Sequence, residues 1–115
     1  MIKLEKSYKE IHVSLEIIYA GKDMASIITG GHKAHIGSIS IFSKDEGIKT
    51  ISLNEHKDYI ISELFINTLK DCFEGTISVS CGIHLDNITK SQINDVLYVC
   101  QSLFEKFKNN YIVKT

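Results

Sequence analysis

From Ile11 to Leu53 the sequence alternates with a period of two, and the breaks in that alternation are only a few residues long. Ile11, Val13, Leu15 and Ile17 fall on one face, with His12, Ser14 and Glu16 on the other. Turn signals follow at Ala20-Gly21-Lys22-Asp23, at Gly30-Gly31-His32-Lys33-Ala34 and at Ser43-Lys44-Asp45-Glu46-Gly47. They bound further strands at about 24–29, 35–43 and 48–53. Connections this short cannot carry parallel crossovers, so the four strands are expected to form an antiparallel meander.

The period then changes. Ile61, Leu64, Phe65, Thr68, Leu69 and Cys72 share one face of a helix predicted over about 57–73 and closed by Gly75. A fifth strand over 76–82 sets Ile77, Val79 and Cys81 against Ser78 and Ser80. Thr89 and Gln92 have capping-box spacing, with Ile88 and Ile93 placed as a staple. Behind them Ile93, Val96, Cys100, Leu103 and Phe107 lie on one long apolar stripe, and Tyr111 to Val113 has the makings of a short last strand.

Two amphipathic helices bury their stripes best on one face of the sheet. The fold class expected is therefore α+β: a two-layer domain with a mostly antiparallel five- to six-stranded sheet and two helices packed on one face. The opposite face is expected to carry Ser14, Ser38, Ser40, Ser78 and Ser80 and to leave Ile18 and Phe42 exposed, which favours self-association. At 115 residues and 43% hydrophobic content the chain reads as one domain, 1–115.

Net charge is −1, and all thirteen basic residues are Lys. Without Arg or a basic stripe a nucleic-acid surface drops in rank. The start of the chain is charged, and the apolar run behind it is broken by His12 and Glu16, so neither a signal peptide nor a membrane span is expected. Cys72, Cys81 and Cys100 are odd in number and widely spaced. They fit buried apolar roles in a reducing compartment, with the cytoplasm as the expected address.

Chemistry concentrates in three places. Gly30, Gly31, Lys33, His35 and Gly37 form a Gly-rich, cationic segment that reads either as an anion-binding turn or as a plain Gly-Gly hairpin with exposed imidazoles. His32 and His35 are three apart, which on a strand points them to opposite faces and discourages a shared metal; His35 shares its face with Gly37, Ile39 and Ile41. His84, Asp86 and Asn87 lie between the fifth strand and the capped helix, where Asp86 either orients His84 or forms an Asx-type turn. His56 stands at the first helix's N-terminus beside Asp58, as an exposed turn residue or a third imidazole on one pocket. No Ser or Cys lies in an elbow-like context, so acyl transfer has little support.

The segments Thr29-Gly30-Gly31…His35-Ile36-Gly37, His56-Lys57-Asp58…Glu63 and Val79-Ser80-Cys81-Gly82-Ile83-His84-Leu85-Asp86-Asn87 resemble, in order and over almost the whole chain, the LpdD-like family. These are small proteins associated with gallate decarboxylase systems and described as prenylated-flavin chaperones. The pattern departs at Ala34, where Pro usually precedes the His. The resemblance implies a non-catalytic carrier of prenylated FMN serving a UbiD-type decarboxylase, with a flavin prenyltransferase making the cofactor. It also implies a fold like that of the dimeric proteasome assembly chaperones. His35, His56 and His84 match as polar positions, with Gly30, Gly31, Gly37, Asp86 and Asn87 shaping the site. A protein-assembly module without a small ligand and a His-site metalloprotein or small enzyme are the other readings.

Overall fold

The computed structural model describes residues 1–53 and 57–112. A six-stranded sheet comprises β1 (Ile2–Tyr8), β2 (Ile11–Ala20), β3 (Asp23–Gly31), β4 (Lys33–Ser43), β5 (Gly47–Ser52) and β6 (Ile77–His84). Helix α1 (Tyr59–Leu69) precedes β6 and α2 (Lys90–Phe107) follows it. Both helices pack on one face of the sheet, α1 over β4, β5 and β6 and α2 over β1 and β2. Between the layers lies one core, where Phe65 meets Phe104 edge to face with ring centroids 5.0 Å apart. Burying each such side chain is worth roughly 1.5–3 kcal/mol.

The α+β class and the two-layer arrangement are as expected; the meander is corrected. Strand order is β1-β2-β3-β6-β4-β5, so β6 inserts between β3 and β4. It runs parallel to β3 and antiparallel to β4. The single residue His32 carries the chain from β3 to β4 past the end of β6, its N–H bonded to the His84 carbonyl at 2.6 Å. A short connection fixes the relative direction of two consecutive strands but not their adjacency. The strand that takes the middle is the one with Ile77, Val79 and Cys81 on its core side.

Other expectations also shift. Residues 2–8, read only as a charged start, pair antiparallel with β2, and Lys9 turns the hairpin with φ 55°. Helix α1 is shorter than the 57–73 expected. The capping box at Thr89 and Gln92 forms as expected. After α2 the chain makes a π-helical turn, Lys108–Ile112, in place of a last strand; Val113 lies outside the described residues. Ser38 and Ser40 face the core, not the open side, and Phe42 packs on the core while Ile39 and Ile41 are exposed. The register with β6 sets this, because Ser38 pairs with Cys81 and Ser40 with Val79, whose side chains are buried in the core.

Candidate functional site

Beyond the middle of β6 the sheet is held by glycines. Gly31 adopts φ +77° and packs so tightly on the His84 carbonyl that a Cβ would collide with it. Ala34 pairs with Ile83 and Ser38 with Cys81, so His35, Ile36 and Gly37 all stand opposite Gly82. A Cβ on Gly82 would run into the His35 carbonyl. The bulge thus exists because Gly82 has no side chain, and it frees His35 from the face of Ile39 and Ile41 that strict alternation assigns to it.

Released in this way, His35 reaches the start of α1, where its Nε2 lies 3.2 Å from Asp58 Oδ2. Asp58 is buried, and its Oδ1 accepts a hydrogen bond from the Ile83 N–H at 3.0 Å. It occupies the N-cap position of α1 without a side-chain capping bond, because its carboxylate ties the helix to β6 instead. His84 donates from Nε2 to Asp86 Oδ1 at 2.9 Å, which is the orienting contact foreseen for this pair. The Asp86 N–H donates to His32 Nδ1 at 3.2 Å, and Asn87 completes the turn with φ 53°. The rings of His35 and His84 meet edge to face, 6.1 Å between centroids.

The charges follow this geometry. The hydrogen bond from His84 holds the Asp86 carboxyl below its ordinary range, helped by the nearby charges of His84 and His32. Burial, with Asp58 adding to it, pushes the Cys100 thiol up to about 12 and raises Cys81 further. Both thiols stay protonated at neutral pH, which removes them as nucleophiles.

A cavity of about 860 Å³ opens beside these groups, between α1, the end of β6 and the first half of α2. Its walls are mostly aliphatic, with Ile61, Leu85 and Val96 buried, Ile83 half-buried, and Ile60, Ile88 and Ile93 exposed at the rim. Among the described residues its polar lining is Lys57, Asp58 and His84. Ligand sites of this size, apolar with a few converging polar groups, suit a flat heterocycle. These residues fit a prenylated flavin: hydrocarbon walls for the ring system, Lys57 and His84 for an anionic or carbonyl-bearing end.

Among the residues singled out from sequence, His84 lines the cavity directly. His35 and Asp86 stand behind it through the contacts above. Gly30, Gly31, Gly37 and Asn87 shape the backbone around it, and the amide-rich Gly30-Gly31 pair is taken up in the ladder to Ile83 and His84. Lys33 is exposed, pairs with His84 in the β4–β6 register and does not line the cavity. His56 lies outside the described residues. Sequence reasoning missed Asp58 as a site residue and the whole helical wall; the rim isoleucines, apolar where the core does not bury them, were the available signal. Among the described residues no three His, Cys, Asp or Glu side chains group as a metal site.

The likeness to known proteins agrees with this geometry. Protein LpdD of Lactiplantibacillus plantarum is 29% identical over 94 residues, covering 77% of this chain and 68% of that protein. A subunit in a crystal structure of a chaperone complex for yeast 20S proteasome assembly superposes with a TM-score of 0.54 at 13% identity, covering 95% of this chain and 98% of that one. That likeness establishes the fold alone. The model of the prenylated flavin chaperone LpdD-like domain matches residues 7–111, and the chain belongs to that family.

Proposed function

We propose that this chain is a non-catalytic carrier of prenylated FMN that supports maturation of a UbiD-type decarboxylase and receives its cofactor from a flavin prenyltransferase. The observation that carries the reading is the 860 Å³ cavity, aliphatic on its walls and polar at Lys57, Asp58 and His84, in a chain of this family. His84 contacts the ligand; Asp86 and His35 orient it from behind, and Gly30, Gly31, Gly37 and Asn87 set the backbone that presents it. The protein acts in the cytoplasm as a homodimer, without nucleic acid or membrane; no helix among the described residues is long and apolar enough to cross a membrane. Raised thiol pKa values at Cys81 and Cys100 support a binding role over covalent catalysis.

Co-expression with a flavin prenyltransferase tests this. The purified chain is expected to carry a flavin absorbance that His84→Ala reduces. Colourless protein that also fails to bind prenylated FMN in anaerobic titration overturns the reading.

A further inference from the structure

Three isoleucines from three separate elements surround the cavity opening: Ile60 on α1, Ile88 in the β6–α2 connection and Ile93 on α2. They remain 45%, 44% and 44% exposed, although Ile61, Leu85 and Val96 on the same walls are only 6%, 5% and 6% exposed. Neither the core nor the staple spacing of Ile88 and Ile93 buries them. The buried stripe of α2 begins at Val96, and Ile60 is the exposed neighbour of the buried Ile61. Exposed hydrocarbon on one opening is stabilised only when something apolar covers it.

Ile88 is also held in place. The Asp86 bridge between His32 and His84 fixes the connection two residues before it, and the capping box at Thr89 fixes the residue after it. The rim is therefore pre-formed, which favours recognition over general stickiness.

Resting on the carrier reading above, we propose that Ile60, Ile88 and Ile93 form the subsite for the prenyl-derived ring and make the site selective for prenylated over unprenylated flavin. Apart from two ring methyls, the five prenyl-derived carbons are the saturated apolar part of the ring system. The ribityl phosphate and the pyrimidine edge are polar and match Lys57, Asp58 and His84 on the same lining. An apolar subsite of this kind discriminates a few added carbons by roughly tenfold to two-hundredfold.

The test is anaerobic titration of the full chain with reduced prenylated FMN and with reduced FMN, followed by the same pair on Ile60→Ser, Ile88→Ser and Ile93→Ser. The unaltered chain is expected to favour the prenylated form by roughly tenfold or more, and each Ser variant to shrink that ratio several-fold. Ile93→Val should retain most of it, and melting curves check that each variant is folded. Equal affinity for the two flavins, or Ser variants that weaken both alike, overturns the selectivity while flavin binding stands. Binding of neither flavin overturns the carrier reading itself.

Discussion

At Gly82 the absence of a side chain is what lets three residues of β4 arch over one residue of β6. Gly82→Ala forces a Cβ against the His35 carbonyl, and overpacking of this kind costs about 1–3 kcal/mol. A lower urea midpoint with an unchanged m value is expected, together with loss of the His35–Asp58 approach in His35 ring shifts. Asp86 gives a pH prediction of definite sign. Its folded carboxyl lies below the ordinary value of 3.8, chiefly through the His84 hydrogen bond. A depressed carboxylate contributes above its unfolded pKa and loses that contribution as pH falls through the folded one. The turn around residues 84–87 should therefore loosen only below the ordinary carboxylate range, and Asp86→Asn should remove that acid-side change. Amide exchange across the turn measures it, and loosening that begins near neutrality would contradict the assignment. The His84–Asp86 pair was legible from spacing two apart in a connection. His35–Asp58 was not, because it depends on a bulge whose register is set by contact with a distant glycine.

Among the elements, α1 and α2 dock by different means. Phe104 and Phe107 of α2 meet Phe65 in hydrocarbon contact. Where α1 crosses β4 the seam is hydroxylic: Ser62 Oγ lies 3.1 Å from Ser38 Oγ, 2.8 Å from Ser40 Oγ and 3.2 Å from the Tyr59 carbonyl. Thr50 extends the chain from Ser40 to Glu63 at 2.8 and 2.7 Å. Ser62→Ala leaves buried hydroxyls short of a partner and should destabilise by about 1–3 kcal/mol. Ser38→Ala with Ser62→Ala should cost less than the two singles summed, because one interaction is counted twice. Urea unfolding of the three variants checks both statements; full additivity would mean that the seam is not coupled. This seam explains why α2 was easier to read than α1. An apolar stripe with a capping box announces itself, whereas serines on β4 look like a solvent face. The strand pattern was legible for the same reason, but the insertion of β6 was not, since alternation carries no information about which strand lies beside which.

On the whole molecule the face away from the helices has a consistent makeup. Ile27 pairs across Ser80 to Ile39 and on to Ile51, and Ile41 stands beside Ser78 in the next row. Ile18, Ile27, Ile39, Ile41 and Ile51 are all exposed, Ile51 by 66%. Isoleucines flank a central strand of small serines, so a two-fold axis along β6 would set Ile27 of one copy over Ile39 of a second and bury both ridges. Aligned sheets pack in this manner about 10 Å apart. A homodimer of the kind proposed above would bury this face and leave the cavity, on the helical side, open. Sedimentation at micromolar concentration should give a dimer, and Ile39→Glu should give a monomer with little loss of fold stability, because the side chain is exposed within the protomer. A monomeric parent protein would reject the assembly. A dimer that survives both Ile39→Glu and Ile27→Glu would move it to another surface. If the dimer dissociates while flavin titration is unaffected, assembly and ligand binding belong to opposite faces of one sheet.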